Sequence, residues 1–381
     1  MSQNHQTSPE LSTAGKIKDT LHKALGNLGG FEECVLLNYP DYPNIGDHLI
    51  GLGTVLYLTE VLKTPINYIA SIDDFSEEKL EKKAGKAPIV LQGGGNLGDT
   101  WSHHQLFREH IISKYRDRQI IIMPQSIYFA NPDNLNRAAT IFNAHPNLTL
   151  FVRDNYSYEL ACQHFSNCQL IKSPDMVFHL ANIPLPSYKF NPKRPILYLC
   201  RQDSELNEAF SPANLEIPNL VVQDWVDSGK WIYRGRGTFG ELKEWYWRIP
   251  GVVLLVREGW QRGLARPKEW IPRQRWERFH PYAHKFNSLY NPFIHRFSWS
   301  LMHAGVYQLT QSRLVITNRL HGHLLSILLG IPHIFLPNSY YKNESFYENW
   351  TYQIPFCRFV KEPSQVQGAV QELLSSFVSR G

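Results

Sequence analysis

Neither cysteine nor charge organises this chain. Its five cysteines, at positions 34, 162, 168, 200 and 357, are odd in number and scattered, with no CxxC-type pair. That excludes a disulfide framework and leaves no zinc signature, so reduced thiols in a cytoplasmic protein are expected. Basic side chains outnumber acidic ones only 39 to 34. The resulting +5 is too small to demand nucleic acid, yet it tolerates anionic partners. Long apolar runs are also missing. The longest candidate, Val315 to Leu336, is broken by Arg319, three histidines and a Gly-Ile-Pro turn, and falls short of a spanning helix. The first thirty residues are polar; Ile17, Leu21, Ala24 and Leu28 mark an amphipathic helix rather than a signal peptide.

Several familiar chemistries are absent as well. There is no GxxxxGK(S/T) phosphate loop, no HExxH and no GxSxG nucleophile elbow. No Asp-x-Asp occurs, so a sugar-nucleotide site built on a divalent metal lacks its usual carboxylates. His321 and His323 are two apart, which does not place both on one helical face, so no metal pair is expected there.

What remains is a chain of 381 residues, 43% hydrophobic, long enough for two ordinary domains. Apolar runs at Cys34–Asn38, Pro88–Gln92, 119–124 and 148–153 read as buried strands separated by helical patterns, one of them from about Asp47 to Leu62. Such alternation implies a parallel sheet covered on both faces. Four prolines between Ile183 and Pro195 read as a linker. A second alternation follows, with strands expected at 196–200, 251–256, 314–317 and 333–336. The expected fold is therefore α/β, with two Rossmann-like domains facing a cleft. Residues 1–30 form the first helix, 31–185 the N-terminal domain and 186–381 the C-terminal domain. Ligands bind beyond the carboxyl ends of the strands in such sheets.

Residues 225–299 stand apart. They hold eight of the ten tryptophans, and Arg257 to Arg296 carries nine Lys/Arg against three Glu. The segment is either an insertion whose aromatics pack on the core or a basic amphipathic surface for anionic headgroups or a glycolipid diphosphate.

Four constellations sit at strand-to-helix junctions. In Asn44-Ile-Gly46-Asp47, Asp47 is suited to cap the following helix and Gly46 to a tight approach. In Gln92-Gly93-Gly94-Gly95-Asn96, three glycines after a strand expose backbone N–H groups to a ligand. Tyr198-Leu-Cys-Arg201-Gln-Asp203 presents a charged pair after a strand. Asn318-Arg319-Leu320-His321 places a guanidinium and an imidazole beside a helix N-terminus, a geometry that favours an anion. The same dipole disfavours a permanently protonated His321 and keeps it available for proton transfer.

These pieces, together with Val152-Arg153-Asp154 and Ser173-Pro174-Asp175, resemble the polysaccharide pyruvyl transferase family in order and spacing from about residue 34 to 350. The Trp-rich segment departs from the family pattern. The resemblance implies a glycosyltransferase-B-like fold, with phosphoenolpyruvate as donor. It implies transfer of pyruvate onto a sugar, usually as a cyclic ketal across two hydroxyls. On that basis Arg319, Leu320 and His321 hold the donor, with Arg201 as second guanidinium and Lys342 beside them. His321 is the general acid or base, assisted by Arg319. The acceptor, free or lipid-linked, enters over Asn44, Asp47, Gly93, Gly94, Gly95 and Asn96. No metal or other cofactor is called for. A cytoplasmic location, with peripheral contact at the inner face of the membrane, completes the expectation.

Overall fold

The computed structural model describes residues 11–225 and 267–378. The strand expected at 251–256 lies outside them. Strand β1 (Cys34–Leu37) shows why uninterrupted apolar runs become strands here. Cys34 and Leu36 enter one core cluster while Val35 and Leu37 enter another. A strand covered on both faces has no polar side to alternate with.

Strands β2 (Ile66–Ala70), β3 (Ile89–Leu91), β4 (Gly94–Gly98), β5 (Ile120–Tyr128), β6 (Leu148–Val152) and β7 (Gln169–Lys172) join β1 in a seven-stranded sheet. Its order is β2-β1-β3-β5-β6-β7, with β4 also on β5, and every pairing is parallel. A second, five-stranded sheet contains β8 (Ile196–Leu199), β9 (Leu220–Gln223), β10 (Leu314–Thr317), β11 (His333–Phe335) and β12 (Cys357–Phe359). Its order, β12-β11-β10-β8-β9, is also parallel throughout. The proline-rich stretch runs between the two sheets, and Tyr188 and Arg194 pin it by hydrogen bonds to the carbonyls of Arg313 and Thr310.

Helix α1 (Ala14–Leu25) is capped by Thr13 and buries Ile17, Leu21 and Leu25. Leu25, not the expected Ala24, completes its apolar stripe. Helices α2 (Ile45–Leu56), α3 (Glu77–Ala84), α4 (Ser102–Lys114), α5 (Pro132–Asn143) and α6 (Asn155–His164) connect the first sheet. The second half holds α7 (Pro267–Phe279), α8 (Pro292–Thr310), α9 (Leu320–Leu329), α10 (Lys342–Phe346) and α11 (Val366–Val378). Helix α8 crosses to the first half: its Ser298 hydroxyl meets His48 Nδ1 at 2.8 Å and Tyr39 Oη at 3.0 Å.

Trp225, Trp276 and Trp299 of the 225–299 stretch belong to the core. Trp225 is fully buried, and Trp276 stacks on Trp299 with ring centroids 4.5 Å apart. Arg273 is buried too, whereas Arg275 and Arg278 are exposed beside exposed Ile271 and Phe279. No helix among the described residues is long and apolar enough to cross a membrane.

Candidate active site

A cavity of about 470 Å³ opens where the carboxyl ends of strands from both sheets meet. Its walls come from the segments after β1 (Asp41, Tyr42, Asn44, Asp47), β3 (Gly95, Asn96) and β6 (Arg153). The second sheet adds the segments after β8 (Arg201, Asp203, Glu205), β10 (Arg319, Leu320, His321) and β11 (Lys342).

On the first-sheet side, the helix cap is Asn44, not Asp47. The Asn44 Oδ1 accepts from Gly46 N at 3.1 Å and α2 begins at Ile45, which leaves Asp47 in the first turn. Asp47 is thereby free to be oriented by side chains: its Oδ2 accepts from Tyr42 Oη at 2.9 Å and Asn44 Nδ2 at 2.8 Å. A carboxylate at this position is also favoured by the helix dipole. Gly46 has a different reason to be glycine. A Cβ there would fall 2.3 Å from His321 Nδ1, so the missing side chain is the space the imidazole occupies.

The triple glycine is not the open turn expected from sequence. Gly94 and Gly95 begin β4, Gly94 pairing with Gln125 of β5 at a φ of 136° that favours glycine. Gly93 packs against Pro124, where a Cβ would lie 2.7 Å from the carbonyl oxygen. Gly95 faces the cavity, and a Cβ there would come within 3.0 Å of Arg153 Nη2 and 3.5 Å of Lys342 Nζ. The stretch therefore admits neighbouring cations more than it offers N–H groups. Asn96 lines the cavity with its Oδ1 and carbonyl oxygen both accepting from buried Arg108. His103 and His104 stand beside it, rings 4.2 Å apart. Burial holds His104 down to about 3, and its Nδ1 meets Asn38 Oδ1 at 2.7 Å.

The opposite wall concentrates charge. His321 Nε2 lies 3.5 Å from Arg153 Nη1 and 3.6 Å from Asp175 Oδ2. Asp175 also accepts from Arg153 itself. Burial opposes the Asp175 charge, but Arg153 and His321 more than offset it and hold the carboxyl at about 2. Arg319 caps α9 without a side-chain cap bond and is gripped in bidentate fashion by Asp224. Arg201 is held by both oxygens of Asp203, at 2.6 and 3.0 Å, and by Glu205 at 2.8 Å. Lys342, expected in a loop, starts α10 and donates to the same Glu205. Burial drags its amine down to about 8 against the opposing pull of Glu205. Arg201 thus forms with Asp203 the charged pair read from the sequence, and Arg319 is engaged by Asp224. Four cations, Arg153, Arg201, Arg319 and Lys342, are matched by four carboxylates, Asp175, Asp203, Glu205 and Asp224.

The structure brings together all the expected donor residues and, from the first half, Asn44, Asp47, Gly95 and Asn96. It does not bring His323 to the cavity. That ring is fully buried, its Nδ1 2.8 Å from His333 Nε2 and its Nε2 2.9 Å from Thr351 Oγ1. With Cys357 these histidines gather ligand-type atoms within 4.8 Å of one another. Every imidazole nitrogen in the group nevertheless has a hydrogen-bond partner, His333 Nδ1 meeting the Ile331 carbonyl. Sequence reasoning missed Arg153 and Asp175 as site residues, although both lie in motifs it singled out. It also missed Glu205, Tyr42 and the two histidines at 103 and 104.

The chain matches the family model for polysaccharide pyruvyl transferase over residues 44–340. It is 28% identical, over 92% of its length and 95% of the relative's, to EpsO of Bacillus subtilis (strain 168), to which a pyruvyl transferase activity is ascribed. Pyruvyl transferase 1 of Schizosaccharomyces pombe (strain 972 / ATCC 24843) is 26% identical over 84% of this chain and 70% of its own. A crystal structure of the functionally uncharacterised protein KP1_0663 from Klebsiella pneumoniae subsp. pneumoniae NTUH-K2044 superposes with a TM-score of 0.53. That match has 19% identity, covers 91% of this chain and 98% of that one, and speaks to fold alone. The family match spans most of the strand-end segments that build the cavity, while Asp41, Tyr42 and Lys342 lie just outside it. The chain belongs to the polysaccharide pyruvyl transferase family.

Proposed function

We propose that the protein moves pyruvate from phosphoenolpyruvate onto a pair of sugar hydroxyls, forming a cyclic ketal on an exopolysaccharide or cell-surface glycan precursor. The observation that carries this reading is the placement of His321 against the Arg153–Asp175 ion pair, beside Arg319, in a cavity bordered by both sheets. Phosphoenolpyruvate bears a carboxylate and a phosphate, so its site needs several cationic donors and a helix N-terminus. Arg319, Leu320, His321, Arg201, Lys342 and, newly, Arg153 form the donor side. Asn44, Asp47, Gly95 and Asn96 form the acceptor side, with Gly93 and Gly94 shaping the strand beneath. In this reading two Rossmann-like domains take a glycosyltransferase-B-like arrangement, 31–185 for the acceptor and 186–381 for the donor, with Arg153 reaching the donor from the first.

In the reaction, a sugar hydroxyl attacks the carbon that bears the phosphate ester. His321 is positioned to move a proton, and Asp175, 3.6 Å from its Nε2, orients the ring. Arg153 and Arg319 stabilise the charge of the departing phosphate. Because the chain's own side chains supply the positive charge, turnover is expected to survive EDTA unchanged.

Binding is the first test. Phosphoenolpyruvate should raise the melting temperature and UDP-sugars should not; the reverse preference would replace this reading with a nucleotide-sugar transferase. Arg319→Lys should weaken phosphoenolpyruvate binding, since a point charge cannot hold both Asp224 and an anion as a planar fork does.

The enzyme is proposed to work in the cytoplasm against the inner face of the membrane. Exposed Arg275 and Arg278 beside exposed Ile271 and Phe279 support this, each basic group contributing about 1 kcal/mol near an anionic surface. Sedimentation with anionic but not neutral liposomes, reversed by salt and reduced by Arg275→Glu with Arg278→Glu, is the expected result. Indifference of wild type to anionic vesicles would leave α7 an ordinary packing helix.

A further inference from the structure

Three proton-bearing groups stand in a row along the donor wall. His321 Nε2 is 3.5 Å from one terminal nitrogen of Arg153. The other terminal nitrogen of Arg153 and the amine of Lys342 both lie within 3.5 Å of the point where a Gly95 side chain would begin. Arg153 is therefore flanked by an imidazole on one side and a primary amine on the other. An anionic donor seated on Arg153 would have its reacting carbons between the two.

Lys342 is buried yet lines the cavity. The groups that face it are Glu205, Arg201, Arg153 and the ring of Tyr340, 5.1 Å from the amine. Glu205 does not need this lysine as a counterion, because Arg201 already donates to it at 2.8 Å, Asn338 at 3.3 Å and Trp101 at 3.4 Å. The ammonium carries three protons, of which Glu205 takes one. A lysine that served only as a positive charge would gain nothing from such burial, which weakens its hold on its proton.

Ketal formation from an enol ester has two separate proton demands. One proton must reach the methylene carbon, and each sugar hydroxyl must lose one. We propose that Lys342 is the general acid that protonates the methylene carbon, while His321 receives the proton of the attacking hydroxyl. This rests on the phosphoenolpyruvate reading above. The π pair of the double bond forms the new C–H bond with a proton from Lys342 Nζ. A lone pair of the hydroxyl oxygen forms the C–O bond, and its proton passes to His321. The ester C–O bond then breaks with its electron pair leaving on phosphate. The second hydroxyl closes the ring, its proton leaving with the phosphate, and solvent restores Lys342 and His321 to their starting states. Burial, partly countered by Glu205, leaves the Lys342 amine at about 8, within reach of proton transfer at neutral pH.

The test compares Lys342→Met and Lys342→Arg with wild type, using phosphoenolpyruvate and a panel of methyl hexopyranosides with phosphate release as readout. Both variants should lose at least ~10²-fold in kcat, with KM for phosphoenolpyruvate changed by less than about tenfold. Arginine keeps the charge but does not give up a proton, so a Lys342→Arg enzyme retaining more than about a tenth of wild-type kcat would overturn the proposal. Wild-type kcat should fall on the alkaline side near pH 8, and Glu205→Gln should move that limb to lower pH by removing the carboxylate that favours the ammonium. Wild type releasing no phosphate from phosphoenolpyruvate would instead count against the donor reading. In that case the pH dependence of Lys342 acetylation, followed by mass spectrometry without substrate, decides the lysine's part. A midpoint near 8 supports an amine held ready to give up its proton, and an ordinary lysine midpoint overturns it.

Discussion

Replacing His321 with glutamine is expected to lower kcat by about 10²- to 10⁴-fold while phosphoenolpyruvate binds within about tenfold of wild type. The imidazole contributes little to holding an anion that Arg153 and Arg319 can hold without it. It is, however, the group on the cavity whose ring the buried Asp175 carboxylate, 3.6 Å away, holds in place. His323→Ala should behave in the opposite way. Its ring bridges His333 and Thr351 in the core, so its loss strands two buried polar atoms at about 1–3 kcal/mol each and opens a cavity. Steady-state kinetics paired with thermal melts separates the two cases. His321→Gln should be inactive and nearly as stable as wild type; His323→Ala should melt early and, at low temperature, retain turnover. Inactivity with unaltered stability at both positions would argue that the two histidines act as one unit.

The contrast between these neighbours shows where sequence reasoning runs out. Both follow the same arginine, and spacing alone separates a residue on the cavity from one inside the core. Arg319 and His321 were legible because a strand end, a polar junction and an apolar helix follow one another within a dozen residues, which fixes their place at the carboxyl edge of the sheet. Their partners were not. Asp224 lies 95 residues from the Arg319 it grips, and nothing local in Gln223-Asp224-Trp225 signals that pairing. The same division holds for the fold. Strands β1, β3, β5, β6 and β10 were visible because both faces are buried and the runs are apolar. Edge strands β7 and β9 are partly exposed and carry polar ends, so they lack that signature. Strand β4 was hidden by its glycines, whose composition reads as a turn while their packing is that of a sheet. The stretch from 183 to 195, by contrast, was legible as irregular chain through its prolines, which leave no helix or strand to propose.

Asp175→Ala should be the most destabilising single change at the site. The carboxylate is fully buried, neutralises Arg153, and accepts from Val177 N at 2.8 Å to cap the short helix Met176–Asn182. Removing it leaves a guanidinium in the interior without its counterion, at about 3–5 kcal/mol, plus about 1 kcal/mol for the lost cap. Asp175→Asn keeps the shape and part of the cap and so isolates the charge. The pH dependence follows from the depressed native value, about 2 against 3.8 in the unfolded chain. A lowered carboxyl stabilises the native state above pH ~4, and that stabilisation, about 2 kcal/mol, disappears as pH falls from ~4 through ~2. Denaturant melts of wild type and Asp175→Asn should therefore differ most at neutral pH and converge toward pH 2. A constant gap would mean that the carboxylate acts through packing alone, and equal stability at pH 7 would remove Asp175 as the anchor of Arg153. Activity discriminates further. If Asp175 also orients His321, Asp175→Asn should lose kcat under conditions where the variant is fully folded, because the ring then loses the carboxylate contact that positions it. One buried carboxylate contacts both Arg153 and His321, the two groups to which the proposed reaction assigns the phosphate and the proton, so a single substitution tests both assignments.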